Sequence, residues 1–165
     1  SDGLEREENV MISSIISSRK NNIKDQQLEI CCTRYSKFIE YNRDMCISRY
    51  GEKTAFKKKT LNMQVIIPDF EYISDVENGT MYSFLPTKVQ TNVPISCHIP
   101  FKLDSSREYV DDQNKNSWFT HSRDSFAEML AHIFVDYSHK VKNSILYYLP
   151  KKEQSFFFIE KAISN

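Results

Sequence analysis

The pattern that most constrains the fold is an amphipathic helix near the C-terminus. Ser125 and Glu128 form the Ser-x-x-Glu capping box that begins many helices. Apolar residues follow it at the i, i+3, i+4, i+7 spacing of one helical face. This stripe consists of Phe126, Met129, Leu130, Ile133, Phe134, Tyr137 and Val141. His132 and His139 lie off the stripe, so we expect them to face solvent. A stripe of this length must be buried against a partner layer.

Strand patterns in the middle of the chain supply that layer. Residues 27–38 are rich in β-branched and aromatic side chains, and residues 61–67 alternate before Pro68 ends the run. Asn78-Gly79 precedes two further runs, at residues 81–85 and 94–103, and Asn-Gly between strands is the strongest short hairpin signal. We therefore predict that the last three runs form an antiparallel meander.

Strands gathered ahead of one packing helix predict an α+β fold of two layers, an antiparallel β-meander packed by a long C-terminal helix. The chain has 165 residues, which suits one domain with short appendages. Residues 1–26 are expected to be an amphipathic helix, from apolar positions 11, 12, 15 and 16, or a linker from a preceding domain. Residues 27–150 form the α+β domain. Residues 151–165 form a C-terminal tail for which we favour a helix over a strand.

Composition excludes several classes of function. The chain has three glycines, Gly3, Gly51 and Gly79, so neither G-x-G-x-x-G nor G-x-x-x-x-G-K-[ST] can be written with them. Basic and acidic residues balance at 22 each, which argues against a broad nucleic-acid surface. The longest apolar run falls far short of the roughly 18 residues that a spanning helix needs, so no membrane partner is expected.

The cysteines lack the paired spacing of a zinc site. They are Cys31, Cys32, Cys46 and Cys97. We expect them to be buried thiols of a reduced protein, which predicts a cytoplasmic location.

One polar segment stands where functional groups commonly lie. Residues 105–108 directly follow the last predicted strand and precede a long loop. Within them, Arg107 offers a planar fork that suits a carboxylate or a phosphate. The simpler interpretation is that Arg107 pairs with a neighbouring acid, either Glu108 or Asp104.

Four short motifs in this region occur in order and carry a family resemblance. They are Tyr-Ser-Phe-Leu-Pro-Thr at 82–87, residues 93–103, Ser-Ser-Arg-Glu at 105–108, and Asn-Ser-Trp at 116–118. Together they resemble the segment that follows the ATP-binding fold in sacsin-like members of the GHKL ATPases. The resemblance covers roughly residues 60–150. It implies a transducer domain, of split β-α-β type, that relays conformational change from an N-terminal ATP-binding domain of the same polypeptide.

The resemblance also implies site residues and partners. In related enzymes the second domain lends a basic side chain to the γ-phosphate, and Arg107 is the first choice for that role, with Lys88 in reserve. ATP and magnesium are implied for the parent protein, with a protein rather than a nucleic acid as its client. The family's Asp-x-Gly-x-Gly box and Gly-rich lid are missing here. This chain alone is therefore expected to bind no cofactor and to have no enzymatic activity.

Two alternatives from other functional classes remain open. A nucleic-acid-binding accessory module would use Lys53 and the triplet at 57–59, with Arg49 and Tyr50 beside them. A self-contained enzyme would need a small-molecule pocket among the aromatic residues. Strongly salt-dependent binding would support the first alternative, and turnover by the isolated chain would support the second.

Overall fold

The computed structural model of the protein describes residues 3–16, 26–53, 56–73, 78–111 and 116–150. Six strands and two helices occupy these ranges, with short 3-10 segments at Phe70–Tyr72 and Lys142–Tyr148. The strands are β1 (Glu5–Ile16), β2 (Gln26–Asn42), β3 (Lys58–Pro68), β4 (Thr80–Ser83), β5 (Leu85–Gln90) and β6 (Ser96–His98). The helices are α1 (Arg43–Tyr50) and α2 (Ser117–Val141).

The strands form one mixed sheet in the order β1-β2-β3-β6-β4-β5. β1, β2 and β3 are a true antiparallel meander, and β6 pairs antiparallel with β3 but parallel with β4. The sequence prediction of a meander over residues 61–67, 81–85 and 94–103 is wrong, because β6 lies between β3 and β4. The run at 81–85 is two strands that meet at Phe84, and only Ser96–His98 of the third run is strand.

Asn78-Gly79 is not the loop of a hairpin. The Gly79 N–H donates to the Val93 carbonyl at 2.7 Å, and the Gly79 carbonyl accepts from Thr91 at 3.1 Å. A Cβ added to Gly79 would lie 1.9 Å from the Ile95 carbonyl oxygen. Glycine is needed here because two backbone segments pass each other too closely for any side chain.

The N-terminal segment corrects a second expectation. The described part of residues 1–26 is a strand, not an amphipathic helix, and it joins the same sheet as the rest of the domain. Val10 lies opposite Cys32, and Ile12 lies opposite Ile30. Short apolar runs fit both helix and strand periods, so pairing with the long β2 decides the outcome.

The helix α2 covers one face of the sheet and closes a single hydrophobic core. Alternate residues of the strands point toward it, as the period of two requires. The core is built from Tyr35, Ile39, Met63, Val65, Ile67, Met81 and Cys97 of the sheet and from Trp118, Phe126, Met129, Leu130, Ile133 and Tyr137 of α2. The predicted stripe is confirmed, with Phe134 and Val141 partly buried at its edge. The two-layer α+β class is therefore confirmed.

The start of α2 differs from the prediction. The helix begins two turns earlier than the Ser125 box, and Asn116 is its N-cap. The Asn116 side chain accepts the N–H of Phe119 at 3.0 Å and donates to the Ser48 carbonyl at 3.0 Å. Ser125 and Glu128 lie inside the helix, because Trp118 and Phe119 upstream have apolar surface of their own to bury.

The expectation of buried thiols holds for three of the four cysteines. Cys32, Cys46 and Cys97 are buried free thiols, whereas Cys31 is partly exposed. Burial raises the pKa of the Cys32 thiol to about 11.

The tail at 151–165 lies outside the described residues. Within the described ranges, no helix has the length and apolar character needed to cross a membrane.

Candidate functional site

The segment with Arg107 is a closed turn. Leu103 and Val110 form an antiparallel bridge. Inside it, the Asp104 N–H donates to the Tyr109 carbonyl at 2.9 Å, and the Arg107 N–H donates to the Asp104 carbonyl at 3.0 Å. These bonds define residues 103–110 as a structured projection rather than a loose loop. We name it the basic turn after Arg107, although Asp104 and Glu108 also belong to it.

Asp104 builds the turn and is not the partner of Arg107. The Ser106 hydroxyl donates to the Asp104 carboxylate at 2.6 Å and accepts the Glu108 N–H at 3.2 Å. The Ser106 bond, with backbone N–H groups of the turn, lowers the pKa of the Asp104 carboxyl. Asp104 is thus the short polar side chain that commonly stabilises a turn through local hydrogen bonds.

Glu108 fastens the turn to the edge strand β5. The Lys88 N–H donates to the Glu108 carbonyl at 2.8 Å, and the Lys88 Nζ meets the Glu108 carboxylate at 3.0 Å. The Glu108 carboxylate raises the pKa of the Lys88 ammonium. Lys88, the reserve candidate, is therefore already engaged in an ion pair.

Arg107 lies at the exposed tip of the basic turn. Its backbone φ is 60°, in the left-handed region that side-chain-bearing residues seldom adopt. Asp104 is bound to Ser106 and Glu108 is bound to Lys88, so the simpler interpretation of Arg107 as the partner of either acid is wrong. Among the residues that the structure describes, no carboxylate forms an ion pair with this guanidinium.

The other motifs of the family resemblance tie the basic turn to the core. The Ser83 hydroxyl donates to the Phe101 carbonyl at 2.7 Å, and the Trp118 indole N–H donates to the Pro100 carbonyl at 2.7 Å. Trp118 also stacks on Tyr41, with ring centroids 3.7 Å apart. Residues 100–103 therefore connect the turn to β4 on one side and to the start of α2 on the other.

Part of the lysine-rich patch is engaged in contacts within the chain. Lys58 pairs with Glu40 at 2.9 Å. The Lys59 Nζ lies 4.8 Å from the Tyr50 ring centroid and 3.1 Å from its hydroxyl, and the Arg49 guanidinium lies 5.0 Å from the same ring. Tyr50 is thus engaged by cations of its own chain and is not an open platform for a nucleic-acid base.

The histidines of α2 do not form a metal site. His132 and His139 are exposed, as predicted. Asp136, which lies between them, accepts the Tyr35 hydroxyl at 2.6 Å and an Arg6 N–H at 2.7 Å. The residues that the structure describes contain no cluster of three metal-ligating side chains.

A feature that sequence reasoning missed is an apolar groove on the sheet face opposite α2. Its volume is about 140 Å³. The lining residues are Ile12, Ser13, Ile30, Cys32, Ile66, Pro68, Tyr82, Pro94 and Ser96. The available signal was the alternation of Leu28, Ile30 and Cys32 along β2, which places apolar side chains on that second face.

Comparisons of the chain with protein-family models, with curated proteins and with solved structures each gave no match. The features that bear on its function are therefore the basic turn and the motif resemblance around it.

Proposed function

We propose that this chain is the transducer domain of a sacsin-like GHKL ATPase and completes the ATP site of an N-terminal ATP-binding domain in the same polypeptide. The observation that carries the proposal is the exposed guanidinium of Arg107. It lies on a turn that is anchored to the sheet by the Lys88–Glu108 ion pair, and it takes no part in that pair. The turn lies within the four motifs that resemble this family.

The chemistry of Arg107 suits the terminal phosphate of a nucleotide. A guanidinium presents donors in a fork that matches phosphate oxygens, and a fixed positive charge offsets the charge that develops on a transferring phosphoryl group. Lys88 is the weaker candidate because its ammonium would first have to leave Glu108.

The residues present fit a contact to the phosphate, not a complete nucleotide site. Three scattered glycines cannot form a phosphate-binding loop, and the described residues contain no magnesium-ligating cluster. ATP with magnesium, held by the other domain, supplies the phosphoryl group. This chain's part is to bring Arg107 to that group and to respond to its presence.

The relay runs from the turn to the helix layer. A displacement of residues 103–110 acts on residues 100–103, where Ser83 binds the Phe101 carbonyl and Trp118 binds the Pro100 carbonyl. Trp118 belongs to α2, so the helix receives the motion and passes it to a further domain or to a protein client. The nucleic-acid alternative is less favoured because Lys58, Lys59 and Tyr50 are engaged within the chain.

Calorimetric titration of this chain tests the proposal. ATP and a non-hydrolysable analogue are titrated with magnesium, and turnover is assayed in parallel. We expect neither binding nor turnover, since the nucleotide pocket belongs to another domain. Micromolar binding would contradict the proposal, because a complete nucleotide site would then exist within this chain.

A second titration, with single-stranded oligonucleotide at two salt concentrations, examines the alternative. We expect no binding even at low salt. Binding that weakens steeply as salt rises would favour the nucleic-acid module instead.

A further inference from the structure

Phe84 is an unusual residue at the tip between β4 and β5. It connects the two strands alone, and its φ of 63° is left-handed. An aromatic residue rarely adopts this conformation unless its surroundings hold it there. Its side chain is 61% exposed and the adjacent Leu85 is 50% exposed, so the tip presents an apolar pair to solvent.

His98 on β6 is the group that holds Phe84. The Phe84 N–H donates to the His98 Nδ1 at 3.3 Å, and the two rings meet edge to face with centroids 5.1 Å apart. A backbone N–H can only donate, so this bond requires that Nδ1 carry no proton. The hydrogen bond that holds the left-handed Phe84 therefore forms only when the His98 imidazole is neutral.

The surroundings of His98 favour the neutral form. In the sheet, His98 lies between Gln64 of β3 and Tyr82 of β4. Of these two register partners, only Tyr82 has a titratable side chain. Neither of these two register partners carries a charge at neutral pH. Burial lowers the pKa of the imidazole, while the Tyr82 carbonyl opposes that shift.

We propose that His98 is a proton-operated latch for the β4–β5 tip. In the neutral state, Nδ1 accepts the Phe84 N–H and holds the Phe84 backbone in its left-handed conformation, which keeps the side chains of Phe84 and Leu85 exposed. A proton taken from solvent onto Nδ1 turns the acceptor into a donor that faces the Phe84 N–H. The bond is then lost and the tip relaxes, which changes the apolar surface offered to a partner. This inference is independent of the proposed nucleotide contact.

Nuclear magnetic resonance of the uniformly labelled chain tests the latch. The His98 imidazole is titrated downward from about pH 7 until its signals stop changing, and hydrogen exchange of the Phe84 amide is followed over the same range, corrected for intrinsic exchange. We expect the Phe84 amide to lose protection by about tenfold or more with the same midpoint as the His98 titration. A protected Phe84 amide at a pH where His98 is fully protonated would overturn the proposal.

Two variants separate the latch from general acid effects. His98→Gln offers a carbonyl acceptor that does not titrate, so Phe84 protection should become independent of pH. His132→Gln, on the exposed side of α2, is the matched control and should behave like the unaltered protein. A Phe84 titration that persists in folded His98→Gln would contradict the latch. If that variant fails to fold, the shared midpoint in the unaltered protein still decides the question.

Discussion

Lys88 contacts Glu108 twice, through its backbone N–H to the Glu108 carbonyl at 2.8 Å and through its ammonium to the Glu108 carboxylate at 3.0 Å. These contacts attach the basic turn to the last strand of the sheet. The position of the Arg107 backbone therefore follows the position of β5. A surface ion pair contributes little stability, so we regard the Lys88–Glu108 contact as a positioning device.

Gly79→Ala should destabilise the protein strongly. The new Cβ would lie 1.9 Å from the Ile95 carbonyl oxygen, and both partners are backbone that cannot move aside. We expect a loss of about 3 kcal/mol in the free energy of unfolding, measured by urea denaturation. Gly51→Ala is the control for backbone strain without a clash: its φ of 83° and ψ of 160° favour glycine, but open space surrounds it, so we expect a smaller loss of about 1–2 kcal/mol. Equal losses at the two positions would contradict the close approach at Gly79.

Replacement of Phe84 should reverse the usual preference for alanine over glycine. Because φ is 63° at this position, we expect Phe84→Gly to be more stable than Phe84→Ala by about 1 kcal/mol. Both variants lack the ring contact with His98, so its contribution to the free energy of unfolding largely cancels in the comparison. At Tyr82, in strand β4, φ is not left-handed and alanine should be the better replacement. Thermal or urea unfolding of the four variants measures the difference, and a preference for alanine at both sites would contradict the left-handed tip.

Asp136 should make stability depend on acid pH. The Tyr35 hydroxyl and then Arg6 lower the pKa of the Asp136 carboxyl, so the native state favours its charged form. This contribution is fully present above the unfolded pKa of about 4 and is lost as pH falls through the lower native pKa. Asp136→Asn should remove that part of the pH dependence.

The matched control for Asp136→Asn is Glu128→Gln on the exposed side of α2, which should leave the acid response of Asp136 intact. Tyr35→Phe should cost about 1–2 kcal/mol, because the Asp136 carboxylate loses the hydroxyl that donates to it. Unfolding curves at several pH values measure both effects. An unchanged acid profile in Asp136→Asn would contradict the assignment.

The core of the fold was predictable because its signals are long. The stripe from Phe126 to Tyr137 repeats over several turns, and the alternation of Met63, Val65 and Ile67 marks β3 clearly. In both elements, local period and burial favour the same structure. The α+β class therefore followed from the sequence.

The errors arose where long-range contacts decide the structure. Ile12 lies opposite Ile30 in a strand pair, yet its local spacing fits a helix equally well. Asn78-Gly79 carries a hairpin signal, but glycine is needed at position 79 because the backbone there lies too close to the Ile95 carbonyl for a side chain. Ser125 and Glu128 match the capping-box pattern but lie inside α2, which Asn116 caps through contacts with Ser48 that local sequence cannot reveal.

The sequence predicted that the candidate site is a polar turn, but it did not predict which charged side chains of the turn form ion pairs. Sequence proximity suggested Glu108 or Asp104 as the partner of Arg107. Glu108 instead pairs with Lys88, which is twenty residues away and adjacent only through the fold. Nothing in the local sequence indicates that the left-handed conformation falls on Arg107 itself.

The most direct measurement of the central claim is ATP turnover by the multidomain ATPase that we propose, with and without Arg107→Ala. We predict a fall in turnover of about a hundredfold or more, with ATP binding retained, because the positive charge acts on the phosphoryl group in the transition state. Arg43→Ala, an exposed arginine at the start of α1, should leave turnover unchanged. Lys88→Ala should have the smaller effect of the two candidate residues. Unchanged turnover in Arg107→Ala would contradict the assignment of this chain's basic turn to the ATP site.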